Sequence, residues 1–307
     1  MAATIRILVA LIVSLLVRPS DVSAQKRYGP GVTDSEIKIG QTQPYSGSAS
    51  SYGTIGKSGA AYFQMINEQG GVNGRKINLI SLDDGYSPPK TVEQIRRLVE
   101  QDQVLLLFNT LGTPTNTAIH KYVNASRVPH ILLATGATKW GDPLHYPWTM
   151  GFQPYYQAEA KIYAKYIALT KPNGKIAILY QNDDYGKDYV KGFKDGLGEK
   201  ASLIIKEVSY ETSDPTIDSQ IVALQGSGAD VFFNVSIPKF AAQAIRKASE
   251  LGWKPLHIIN SVSNSVASVL IPAGLDRAMG LVSAGWLKDP PIRNGRMIQQ
   301  PKSGWPG

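Results

Sequence analysis

The run Leu111-Gly112-Thr113-Pro114-Thr115-Asn116 sets two hydroxyls and an amide at the head of a helical pattern, with no fixed counter-charge beside them. Free N–H groups and the positive end of a helix favour an anion there, and hydroxyl donors suit a carboxylate. Ala134-Thr135-Gly136-Ala137-Thr138 repeats the theme, and the loop from Pro44 to Gly53 is lined with further hydroxyls. None of these runs offers a nucleophile beside a base. Asp83-Asp84 resembles a catalytic acid pair, but neighbours on a strand point to opposite faces, so the pair reads as a cap and brace for the following helix. His120, His130, His145 and His257 lack the spacing of a metal site and read as surface or capping residues. No Walker spacing or strand-linked G-x-G-x-x-G is present. The chemistry on offer is capture of an anion, with no cofactor and no metal.

Strands and helices must bring these loops together. Residues 37–40 read as a strand, Ala60, Phe63, Met65 and Ile66 recur at helical spacing, Gly70-Gly71 stops that helix, and 76–82 forms the next strand. Strands at 105–108 and 130–133 flank a helix at 113–125, with Thr113 as cap and Pro114 in its first turn. A stretch rich in Trp, Pro, Gly and Tyr follows at 139–154, where Trp148-Thr149-Met150 reads as an extended crossover. Alternation then restarts: helices at 155–168, 188–197, 217–224 and 239–251, strands at 175–180, 203–208, 231–234 and 256–259. The fold class is α/β, two doubly wound parallel-sheet lobes joined by a hinge. In such sheets ligands sit beyond the carboxyl ends of the strands, where the hydroxyl-bearing loops fall. Trp140, Trp148, Trp253 and Trp286 read as hydrophobic anchors.

The chain of 307 residues is long enough for two such lobes. Its net charge of +8 comes from scattered Lys and Arg with no reading head, which argues against nucleic-acid binding. Arg6 precedes an apolar run ending at Val17, and Val22-Ser23-Ala24 supplies small residues for cleavage, so 1–24 reads as a signal peptide. Arg18-Pro19 ends that run short of the roughly 20 residues a membrane span needs. With no cysteine there is neither a disulfide framework nor a thiol for a lipid anchor, and the expected location is the periplasm.

Taken together, Tyr52-Gly53, the stretch Ile66-Asn67-Glu68-Gln69-Gly70-Gly71-Val72-Asn73-Gly74-Arg75, Asp83-Asp84, Asp183-Asp184-Tyr185-Gly186 and Gly226-Ser227-Gly228-Ala229-Asp230-Val231 resemble the solute-binding proteins of branched-chain amino acid ABC importers. The resemblance implies a type I periplasmic binding fold, no enzymatic activity, a small-molecule ligand, a membrane permease as partner and a monomer. It also implies that Thr113 to Thr115, with Gly136 and Thr138, hold a ligand carboxylate, beside Asn116 of the same loop, and that Tyr52 and Tyr185 press on the ligand from opposite walls. Ser236 and Ile237 stand where the family often has aromatic contacts. Ser261 lies in Asn260-Ser261-Val262-Ser263-Asn264, where amino-acid binders place the acid that pairs with the ligand ammonium. Without that acid, an amino acid would need Asp183 or Asp184, and the ligand is expected to be a carboxylic acid, aliphatic or aromatic, lacking an α-amino group.

The lobes are expected at 28–146 and 147–279, with 280–307 as a third crossover and an irregular, non-native tail. Family members return at this point to lobe one, so lobe one is expected to be incomplete and to expose an apolar patch. A truncated, non-functional product is then one alternative, and a ligand-sensing receptor module of the same fold is another.

Overall fold

The computed structural model describes residues 27–287, with the residue pairs 292–293 and 296–297. The first sheet contains β1 (Glu36–Gln43), β2 (Lys76–Asp83), β3 (Leu106–Phe108), β4 (His130–Leu133) and β5 (Thr149–Gly151), all parallel, in the order β2-β1-β3-β4-β5. Helices α1 (Gly53–Glu68), α2 (Pro88–Arg96) and α3 (Thr113–Ala125) connect its first four strands. The residues expected to form a crossover thus contribute a fifth strand, because β5 pairs with β4.

The second sheet holds β6 (Ile176–Gln181), β7 (Ile204–Tyr210), β8 (Val231–Val235) and β9 (Leu256–Ile259), again parallel, in the order β7-β6-β8-β9. Helices α4 (Tyr156–Thr170), α5 (Asp184–Leu197), α6 (Asp218–Gln225) and α7 (Pro238–Glu250) pack around it. β8 is buried along its whole length, as a central parallel strand covered on both faces must be. Helix α5 starts four residues before the predicted 188, because the Asp183 side chain accepts the N–H groups of Tyr185 and Gly186 and caps it. Beyond β9, Val282 makes a parallel bridge to Ile258, within the region expected to form a third crossover.

In both sheets the strand order reverses direction, about β1 in the first and β6 in the second. The loops leaving β1 and β3, and those leaving β6 and β8, therefore splay apart and leave a crevice at the carboxyl ends.

The two faces of the first sheet are covered unequally. Ile80, Leu82 and Leu107 pack with Ile95 of α2, Leu98 of the turn that follows it, and Ile119 and Val123 of α3. On the opposite face, Phe108, Ile131 and Met150 share a row in register, and Phe63 of α1 meets Phe108 edge to face at 5.2 Å. Of α1 only Gly53 and Gly56 are buried. Tyr62 (56 %), Met150 (49 %) and Phe152 (55 %) stay exposed.

Asp83 and Asp84 brace the loop after β2 as expected, but neither caps the following helix, whose cap position is Ser87. Asp83 accepts the N–H groups of Tyr45, Ser46 and Gly85, and Asp84 accepts Tyr86 N–H and the Thr91 hydroxyl. The histidine expectation needs correcting: His120, His130 and His257 are interior, and only His145 is exposed, beside Asp142. Burial holds His130 and His257 down to about 3, so both fill the core as neutral rings. Trp140 and Trp253 are anchors, each with its indole N–H bonded, whereas Trp148 and Trp286 stay partly exposed. The segment 1–24 and most of the tail from 288 lie outside the described residues; there, Ile292–Arg293 pairs antiparallel with Arg296–Met297.

Candidate functional site

The crevice between the lobes spans about 360 Å³, open space at its mouth included. Lobe one contributes Tyr52 and Ile55 from the start of α1, Tyr86 from the loop after β2, Leu111, Gly112 and Thr113 at the head of α3, and Ala134 after β4. Gln153, Tyr156, Tyr185, Ile237 and Val262 complete the wall. No acid or base lines this space.

Four phenols dominate it, and burial pushes all four above the ordinary tyrosine value, Tyr156 to about 12. Each therefore stays protonated at neutral pH and can donate a hydrogen bond. The rings of Tyr156 and Tyr185 meet edge to face at 5.4 Å, and Tyr189 stacks behind Tyr156 at 4.6 Å. The Tyr52 hydroxyl crosses the cleft to donate to the Val262 carbonyl at 2.8 Å.

Tyr86 enters the wall through an unusual backbone. Its φ of 60° is left-handed, uncommon for a bulky residue, and the Asp84 carboxylate that accepts its N–H holds it there. Gly112 makes room: at φ 101° it would place a Cβ 2.5 Å from the Tyr86 ring. Gly112, rather than Thr113, is the cap position of α3, and it supplies no capping side chain. The first turn of α3 therefore meets the crevice with its positive end unanswered by any side chain.

Of the residues singled out by sequence, Tyr52, Thr113 and Tyr185 line the space. The Thr113 hydroxyl shares a 2.6 Å hydrogen bond with Thr135, close to the Tyr156 phenol. The other six have local partners and do not line it. Thr115 donates back to the carbonyls of Leu111 and Gly112. Asn116 ties α3 to Thr110 and Gly112. Gly136 leaves room for Tyr156, whose ring would lie 2.7 Å from a Cβ there. Thr138 bonds across the lobes to Asp188, and Ser236 donates to Asn234. Ser261 donates its N–H and hydroxyl to Glu159.

Asp183 and Asp184, the acids that an ammonium would need, do not line the space either. Asp183 caps α5 and accepts from Gln181, and burial raises its pKa. Asp184 faces Lys139 at 2.8 Å, whose hydrogen bond holds it below the usual carboxylate range. Sequence reading missed Tyr86, Gln153 and Tyr156; the one available signal was the position of Tyr86 just beyond a strand end. Among the described residues no group of three or more His, Asp or Glu could hold a metal ion, and no helix is long and apolar enough to cross a membrane.

Residues 36–298 match the family model described as periplasmic binding protein. A Leu/Ile/Val-binding protein homolog 7 of Brucella suis is 25% identical over 248 residues, covering 76% of this chain and 60% of that protein. The chain thus spans about 60% of the length of this curated relative. A periplasmic substrate-binding protein from Ralstonia solanacearum superposes with a TM-score of 0.74 at 25% identity, covering 80% of this chain and 69% of that one. A branched-chain amino acid ABC transporter protein from Thermus thermophilus with bound valine superposes at 0.73 and 18% identity, covering 82% of this chain and 65% of that one, a likeness of fold. With two parallel-sheet lobes around a crevice and a family match over most of its length, the chain belongs to the periplasmic binding protein family, whose members bind solutes and are not enzymes.

Proposed function

We propose that this protein captures a small carboxylate outside the inner membrane and presents it to the permease of an ABC importer. It works as a monomer whose two lobes close on the ligand; β5 belongs to the first sheet, so the boundary expected at 146/147 shifts and the hinge follows Gly151. Closure is a population shift, in which a ligand touching both walls stabilises the closed form. The segment 1–24 serves as the export signal. Thr113, with Tyr156 and the head of α3, receives the carboxylate, while Tyr52, Tyr86 and Tyr185 surround the rest of the ligand.

The observation that carries this reading is a wall of neutral phenols and apolar side chains beside an uncapped helix start, with no lining acid. A desolvated ammonium with no paired charge costs several kcal/mol, so the favoured guest bears a carboxylate but no α-amino group. Its remaining part, aliphatic or aromatic, packs on the tyrosine rings and on Leu111, Ile237 and Val262. Titration calorimetry of leucine against its keto-acid analogue and against benzoate tests the reading directly. The keto acid or benzoate should bind at least about tenfold more tightly than leucine, a difference of about 1.4 kcal/mol. Tighter binding of leucine would overturn the choice of ligand class.

A further inference from the structure

Helix α5 carries Asp184 and Asp188 four residues apart, one turn along the same face. Both carboxylates reach out of the second lobe to the rim of the first. Asp184 Oδ2 accepts from Lys139 Nζ at 2.8 Å and from the Thr117 hydroxyl at 3.2 Å, and Lys139 also donates to Thr117 at 3.0 Å. Asp188 Oδ2 accepts the Thr138 N–H at 2.8 Å and the Thr138 hydroxyl at 3.0 Å. Its other oxygen accepts from Gln157 of its own lobe at 2.6 Å, which fixes the carboxylate's direction. Neither acid lines the inter-lobe space, so neither is available to a ligand there.

We infer that Asp184 and Asp188 are positioning residues that latch the lobes together, setting ligand affinity through the open–closed balance without touching the ligand. Opening the cleft breaks four hydrogen bonds to these acids, while Asp188 keeps Gln157 and so stays poised to re-form its pair with Thr138. The two arms differ in strength. Asp188 receives a main-chain N–H and a hydroxyl in a partly buried setting, where charge-assisted bonds count most. The Asp184–Lys139 arm is more exposed, at 49% and 37% of the side chains, and is screened by salt. A latch that acts only in the closed form raises the closed fraction before any ligand arrives, and apparent affinity rises in proportion to that fraction.

The inference rests on closure of two lobes, as proposed above, but not on which solute is bound, so its deciding test uses ligand-free protein. Small-angle scattering compares the wild type with Asp188→Ala, Asp188→Asn and Thr138→Val. The wild type should be the most compact, Asp188→Ala the most extended, and Asp188→Asn intermediate, because the amide oxygen still accepts the Thr138 N–H. Asp188→Ala should also weaken the binding of the leucine keto acid about tenfold, and Asp184→Ala only a few-fold, with the Asp184 loss vanishing in high salt. If Asp188→Ala fails to melt cooperatively, Thr138→Val, which changes only the opposite rim, decides the matter. A wild-type profile as extended as that of whichever variant decides would refute the latch, whatever the solute proves to be.

Discussion

Replacement of Glu159 tests whether a residue outside the ligand space holds its walls. Glu159 is buried in α4 and receives four donors: Tyr163 Oη at 2.7 Å and Ser261 N–H at 2.8 Å on one oxygen, Tyr189 Oη at 2.9 Å and Ser261 Oγ at 2.6 Å on the other. Through Ser261 it anchors the turn whose Val262 carbonyl accepts the Tyr52 hydroxyl, and through Tyr189 it backs Tyr156 and Tyr185. Glu159→Ala strands the Ser261 N–H and the Tyr189 hydroxyl, since neither has another hydrogen-bond partner. Each stranded buried donor costs about 1–3 kcal/mol. Ser261 Oγ can turn toward solvent and Tyr163 keeps the bond from Ala284 N–H, so these two contribute less. The total comes to about 3–5 kcal/mol, a fall in melting temperature on the order of 10 °C for a chain of this size. Glu159→Gln should lose about 1–2 kcal/mol, because the amide can place its oxygen toward Ser261 N–H and its NH₂ toward hydroxyls that rotate to accept. Thermal melts followed by circular dichroism give the ranking. An Ala variant melting within about 2 °C of wild type, or below which the Gln variant falls, would refute the reasoning.

Tyr52→Phe removes a single inter-lobe hydrogen bond worth about 0.5–1.5 kcal/mol, so affinity for the bound carboxylate should fall about two- to tenfold in calorimetry with little change in the melt. Gly112→Ala sets a Cβ 2.5 Å from the Tyr86 ring at a left-handed φ, and should abolish binding and lower the melting temperature; a fully active variant would contradict the geometry. Burial lowers His130 and His257 from 6.5 to about 3, so their folded-state pKa lies below the unfolded one. Their contribution is therefore complete above pH 6.5 and lost as pH falls toward about 3, at up to about 1.4 kcal/mol per pH unit each. Denaturant midpoints at several pH values should show the decline, and replacing His257 with Gln should flatten it.

The architecture was legible because buried parallel strands read as continuous apolar runs bounded by turn residues. The run predicted at 231–234 ends one residue short of the observed Val231–Val235, and 256–259 coincides with the observed strand. Periodicity failed where a helix boundary depends on a side chain: α5 begins at Asp184 because Asp183 caps it, ahead of the apolar pattern. The same helix carries Asp188, whose value lies in reaching Thr138, a partner 50 residues away that no local pattern reveals.

Thr115 and Asn116 stand out in the sequence as polar residues at the head of a helix beyond a strand end, and Ser236 and Ser261 through the family resemblance. A buried loop must also satisfy its own backbone and side-chain polar groups, and these short side chains are spent on that task. The residues that line the space beyond those singled out, Tyr86 and Tyr156 among them, are mainly longer side chains that reach past the loops carrying them. In a cleft between two sheets the hydroxyls nearest the strand ends shape the loops, and aromatic side chains rooted a few residues further on form much of the wall. A sequence reading of this fold therefore gains more by asking which large side chains a left-handed turn or a helix start can aim across the gap than by counting hydroxyls beside it.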